Sequence, residues 1–220
     1  MIHPSRLIVA LVGLCFVLNA GAFAAESALK AVTADEPAGA ALIERLRLGG
    51  HVLFFRHADT TAMPCDRSFR VGDRAGQRNI SEEGRKQSRA IGVAFERLGI
   101  PVETPILAGP VYRARDTAEQ AFGVARVQVT DGLLADDFAG SRLQWILDEH
   151  RRLFRAAPAA ELNRVLVGHR TPAIMVIGER VGGRAFPEGA ALVMDPLRRD
   201  FGLLGILHLA PLPGRGFHAC

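Results

Sequence analysis

Short apolar runs alternate along this chain with segments whose apolar positions recur every three or four residues. Residues 52–55 read VLFF, an unbroken apolar run of the kind that forms a strand buried on both faces. Residues 105–109 (PILAG) and 163–169 (NRVLVGH) repeat that reading, residues 126–130 alternate as a strand, and ALVMD (191–195) and GLLGILHL (202–209) supply two late strands. Between them lie helical periods. In ALIERLRL (41–48), Leu42 and Leu46 share a face and Gly49-Gly50 stops the helix. Ser81 caps a helix with Glu82 and Glu83 in its first turn and Ile91, Phe95 and Leu98 on one face, ended by Gly99. Residues 112–122 and 141–156 are helical, the latter with Leu143, Ile146, Leu147 and Phe154 apolar, and Thr171-Pro172 reads as the cap and first residue of a further helix. This alternation predicts a three-layer α/β/α sandwich with a largely parallel central sheet.

Two segments break the pattern. Residues 7–18 form an apolar run after Arg6 and lead to Ala22-Phe23-Ala24, the layout of a secretory signal peptide. The run is short beside the ~20 apolar residues of a membrane span. The expected organisation is a signal peptide over 1–24, a linker over 25–39 and one domain over 40–220. A periplasmic or secreted protein without a stable membrane anchor follows from it. The second break is residues 59–80, polar and rich in Gly and Arg, and a loop of that length inside a compact domain is usually functional.

Composition narrows the partners. The chain has 220 residues, 49% of them hydrophobic, which suits one folded domain. Of its 27 basic residues only Arg6 lies within 1–24, so 26 remain against 23 acidic ones, a net +3. That excess favours an anionic small molecule and is no nucleic-acid footprint. Outside 1–24 the cysteines are Cys65 and Cys220, placed to form one disulfide in an oxidising compartment, with two unpaired thiols as the alternative. No CxxC pair or Cys/His zinc spacing is present, and GxSxG, Walker A and HExxH are absent.

The chemistry lies at the strand ends. Two buried runs end in histidine, at His57 and His169, and a third ends just before GPVYRARDTA, which puts Arg113 and Arg115 in the first turn of a helix. Ligands of open α/β sheets bind beyond the carboxyl ends of the strands, and a helix N-terminus favours an anion. The crevice therefore gathers Arg56, His57, Arg113 and His169, and phosphate matches such guanidinium forks best. His51, His150, His208 and His218 match no motif and read as structural or exposed, and Thr117 reads as a packing or capping residue.

Arg56-His57, the run Gly109-Pro110-Val111 with Arg113-Ala114 and Thr117-Ala118, and Gly168-His169 resemble, in order, the signatures of the histidine phosphatase superfamily, which is phosphoglycerate mutase-like in fold. The resemblance spans residues 48–195. It implies His57 as a nucleophile that becomes phosphohistidine, and Arg56, Arg113 and His169 as holders of the phosphate oxygens. It also implies an acid in DGLLADDFAGS, for which Asp136 is the choice and Asp137 the neighbouring alternative. Ala58 stands where the family commonly has glycine, and Gly109 where serine is frequent. Arg67, Arg70, Arg74, Arg78 and Asn79 of the long loop are candidates to reach the substrate. No metal or organic cofactor is implied. The implied activity is that of an exported phosphomonoesterase acting on a small phosphorylated molecule such as an envelope sugar. The alternatives are a phosphate-ligand binding protein with little turnover and a phosphomutase.

Overall fold

The computed structural model describes residues 29–218; the expected signal peptide and Cys220 lie outside the described residues. Strands β1 (Ala31–Val32), β2 (Val52–Arg56), β3 (Ile106–Ala108), β4 (Val127–Val129), β5 (Arg164–Gly168), β6 (Ala191–Met194) and β7 (Leu203–Leu207) alternate with helices. The helices are α1 (Pro37–Arg47), α2 (Glu82–Leu98), α3 (Tyr112–Phe122), α4 (Leu143–Arg155) and α5 (Arg170–Ile177). The strands make one sheet in the order β1-β7-β6-β2-β5-β3-β4. β6 runs antiparallel to β2 and β7, and the remaining pairs are parallel.

Every residue of β2 is buried, and its pleat divides the core in two. Leu53 and Phe55 pack with Leu46 of α1, Ile91 and Phe95 of α2 and Phe122 of α3. Val52 and Phe54 face the other way, onto Phe154 of α4, Ala173 of α5 and Leu166 of β5. This is why the run is apolar throughout: each side chain meets a helical layer, and each fully buried Leu or Phe contributes ~1.5–3 kcal/mol. Ser81 Oγ accepts from the Gly84 N–H, as its place before Glu82 predicts, and Gly99 closes α2 at φ +64°.

Two expectations are corrected. Residues 31–39 are not loose linker: Ala31 and Val32 pair with Ile206 and Leu207 of β7, and α1 begins at Pro37. A two-residue edge strand is held by backbone pairing and leaves no periodic trace in sequence. The helix after β5 begins at Arg170, with His169 in extended conformation (φ −124°, ψ 151°) at its N-cap, so Thr171 is not the cap. The chain passes from strand to helix without a loop, and His169 stands at the junction.

The β2–β5 register sets Arg56 opposite Gly168. The His57 N–H then donates to the Gly168 carbonyl at 3.0 Å. Two histidines distant in sequence are thereby fixed side by side at one sheet edge.

Candidate active site

Around that edge lies a cleft of about 250 Å3, lined by Arg56, His57, Arg78, Arg113, Asp136 and His169, with Asp137, Arg170, Phe217 and His218 at its sides. The rings of His57 and His169 are 5.5 Å apart. His57 Nδ1 lies 2.9 Å from the Ala58 carbonyl, which only an N–H can satisfy, so Nε2 carries the lone pair. Burial first, and then the charges of Arg113, Arg56 and His169, hold the His57 pKa well below its ordinary value. The ring is neutral and nucleophilic near neutral pH. His169 is pushed down by burial, then by Arg113, His150 and Arg56.

The cations are anchored from behind. Arg56, 6% exposed, donates through Nη1 to the carbonyls of Phe186 (3.0 Å) and Gly216 (3.3 Å), and through Nη2 to Glu188 (3.3 Å). Burial lowers its pKa to about 10, which leaves it charged. Arg113 donates through Nη1 to both oxygens of Asp66, at 3.2 and 3.0 Å. Arg78 is as buried as Arg56, yet its Nε and Nη1 have no partner among the described residues. Nε of Arg56 and Arg113 and Nε2 of His169 are likewise buried without one. Orphaned buried polar atoms are rare, and the four residues that carry these all line the one cleft.

The acid side is formed by the short turn Asp136–Phe138. Burial, and then the neighbouring Asp137, raise the Asp136 pKa, which favours a protonated carboxyl. Asp136 is half-buried and Asp137 exposed, so Asp136 is the better proton donor of the two.

The long loop contributes less than its arginines suggested. Arg78 reaches the cleft, but Arg67, Arg70, Arg74 and Asn79 do not line it. Arg74 forms a two-pronged pair with Asp116 at 2.6 and 2.7 Å and lies 3.8 Å from the Tyr112 ring centre. Asn79 donates to the carbonyls of Arg74 and Gln77. Arg67 donates to the Ala75 carbonyl, and the Arg70 carbonyl accepts from Gln77. These residues brace the loop. Arg115 of α3 turns away to Glu119. Thr117 accepts from the Ala58 N–H at 2.8 Å and donates to the Arg113 carbonyl, so it ties the backbone just after His57 to α3.

The two departures from the family pattern differ in weight. Ala58 is fully buried and fits. At Gly109 a Cβ would stand 2.3 Å from the Leu133 carbonyl oxygen, so serine has no room in this chain. Sequence reasoning missed Glu188, Asp59, Arg170, Phe217 and His218. Glu188 and Asp59 are fully buried. Thr60 donates to Glu188 at 2.9 Å, and Ser81 donates to Asp59. Asp59, Glu188 and His218 offer one ligand atom each within 4.8 Å of one another. Arg56 and Arg215 already pair with those carboxylates, and the set reads as an ion-pair network. Cys65 is disulfide-bonded; Cys220 lies outside the described residues.

Neither the family models nor the curated proteins contain a match to this chain. Solved structures do match. A protein assigned as an alpha-ribazole-5′-P phosphatase from Escherichia coli aligns at TM-score 0.50 and 14% identity, over 74% of this chain and 100% of that one. A SixA protein assigned as a phosphohistidine phosphatase from Agrobacterium tumefaciens aligns at 0.45 and 20%, over 74% and 99%. The mycobacterial glucosyl-3-phosphoglycerate phosphatase aligns at 0.46 and 18%, over 66% and 92%. The chain shares the phosphoglycerate mutase-like α/β fold.

Proposed function

We propose that the chain is a phosphatase of the histidine phosphatase type, hydrolysing a phosphate monoester through a phosphohistidine on His57. The observation that carries this reading is the set of buried, unpartnered donors of Arg56, Arg78, Arg113 and His169 around a neutral imidazole. Glu188 offsets Arg56 and Asp66 offsets Arg113, which leaves Arg78 to receive an added anion. The bound ester presents phosphorus to His57 Nε2. The P–N bond forms as the P–O bond to the leaving group breaks, and the Asp136 carboxyl gives its proton to the departing oxygen. Charge growing on the imidazole is met by the Ala58 carbonyl and by Glu188, 3.9 Å from Nδ1. The guanidiniums hold the non-bridging oxygens throughout, where phosphoryl-transfer catalysis mostly lies. Water then attacks phosphorus and gives its proton to the Asp136 carboxylate, and the P–N bond breaks to release phosphate and restore His57.

Export to the periplasm or medium is part of the proposal, as is a phosphorylated envelope sugar as substrate. The layout of residues 1–24 supports the compartment. The test of activity is hydrolysis of p-nitrophenyl phosphate in the presence of a chelator. Wild type turns it over, and His57→Ala loses at least ~10³-fold. Phosphate binding by wild type without hydrolysis of any phosphoester overturns the phosphatase reading in favour of a binding protein.

A further inference from the structure

The last described residues do not trail into solvent; they form one side of the cleft. Arg215 Nη1 donates to Asp59 Oδ2 at 2.8 Å. His218 Nε2 lies 3.2 Å from Asp59 Oδ1 and 3.2 Å from Glu188 Oε2. Between them, the Gly216 carbonyl accepts from the Glu188 N–H at 3.0 Å and from Arg56 at 3.3 Å. Gly216 sits at φ +104°, and a Cβ there would press on Pro187 at 3.0 Å, so this path requires glycine. Phe217 lies among three guanidiniums, 4.9 Å from Arg184, 5.3 Å from Arg56 and 5.7 Å from Arg170, within the range of cation–π attraction.

These contacts attach the segment to the parts that hold the reacting groups. Asp59 lies two residues beyond His57, and Glu188 orients Arg56. Phe217 and His218 face the cleft itself. The cleft, about 250 Å3, falls below the ~300–1,000 Å3 of sites that take drug-sized ligands. A phosphate and a small leaving group fit such a space. A phosphorylated side chain presented by a folded protein would require the segment to be displaced, and with it the buried pairs on Asp59 and Glu188.

We infer that residues 213–218 are a specificity-determining strap. Through Phe217 and His218 it closes the cleft over the leaving group and restricts the site to small phosphorylated molecules, against protein-borne phosphate. The inference rests on the phosphate-site reading above and names its substrate class.

The probes are methylphosphonate and 1-naphthylphosphonate, which present the same anion on a small and a large group and cannot be hydrolysed. Dissociation constants are measured by calorimetry for wild type, Phe217→Ala and Arg215→Ala. Arg215 is exposed apart from its one ion pair, so its variant folds even where Phe217→Ala does not. Wild type prefers methylphosphonate by ~10-fold or more, and both variants shrink that preference. Equal affinity of wild type for the two phosphonates overturns the inference, as does an unchanged ratio in the variants. Absence of p-nitrophenyl phosphate hydrolysis, measured alongside, removes the phosphatase reading and leaves the size selection to be decided by the phosphonates. Binding of neither phosphonate by wild type overturns the inference, and the phosphatase reading falls with it where p-nitrophenyl phosphate is not hydrolysed either.

Discussion

The floor and the walls of this cleft are built by different means. The floor consists of His57, His169, Arg56 and Arg113, carried on the ends of β2 and β5 and the first turn of α3, with Arg78 of the long loop beside them. Its positions follow from backbone pairing, with Arg56 opposite Gly168 and the His57 N–H on the Gly168 carbonyl. The walls consist of the turn at Asp136 and the strap at 213–218. Side-chain contacts hold most of the strap, Arg215 on Asp59 and His218 on Asp59 and Glu188, beside the Gly216 carbonyl on the Glu188 N–H. In the proposed phosphatase, a floor set by sheet register serves any phosphate in the same way. A wall set by side chains can select what the phosphate is attached to without disturbing the chemistry beneath.

That contrast separates the expected effects of substitution. On the wall, Asp136→Asn removes the proton for the leaving group. Hydrolysis of an alkyl phosphate falls by ~10²–10⁴-fold, while p-nitrophenyl phosphate, whose leaving group needs little protonation, falls far less. The pH profile checks the same point. Activity on alkyl phosphates is lost at low pH as His57, whose pKa is lowered, takes a proton. It is lost at high pH as Asp136, whose pKa is raised, gives one up. Asp136→Asn abolishes the high-pH limb, and Asp137→Asn keeps it.

On the floor, Arg78→Ala removes donors that no other described residue uses. It lowers kcat/KM by ~10²-fold, and by the same factor for alkyl and aryl phosphates. Arg74→Ala, from the same loop, leaves both near wild type, because its guanidinium is committed to Asp116. A leaving-group dependence in Arg78→Ala would move that residue from floor to wall.

The smallest effect concerns stability, and it lies in the core beneath. His150, packed against Phe54 and Phe154 with Nδ1 on the Ile146 carbonyl, is pushed by burial down to about 4, and so is His208. Both are neutral in the folded protein, whereas their ordinary value is 6.5. Below pH 6.5 the unfolded chain binds more protons, so this stability is complete above 6.5 and is lost as pH falls toward 4. Each histidine contributes a slope of about 1.4 kcal/mol per pH unit over that window. Melting temperatures between pH 7 and 4 follow the decline, and His150→Phe removes its share of the slope while that of His208 remains.

The same division decided what could be read from sequence. A buried strand announces itself as an apolar run, and its end announces itself where the run stops at Arg56-His57 or at Gly168-His169. The layered fold and the floor were therefore legible, down to Ser81 as a cap and the 112–122 helix. Asp136 was legible only through the resemblance. Glu188 lies in a turn between Pro187 and Gly189, and Phe217 and His218 in a segment without period. Their role comes from a long-range approach to Arg56 and Asp59 that no local pattern records. The loop arginines show the converse error, since only a fold can tell Arg78, which faces the cleft, from Arg74, which braces α3. The antiparallel course of β6 and the edge strand at Ala31–Val32 were hidden for similar reasons.

Passage of the phosphoryl group through His57 is decided by rapid-quench trapping. The protein is mixed with a 32P-labelled phosphate monoester, quenched in alkali within the first turnover, digested and sequenced. A phosphohistidine on His57 leaves an acid-labile, alkali-stable label on the peptide that carries His57, absent from His57→Ala and accumulating in Asp136→Asn with an aryl phosphate. Turnover with no label on His57, or a label that survives in His57→Ala, would contradict it.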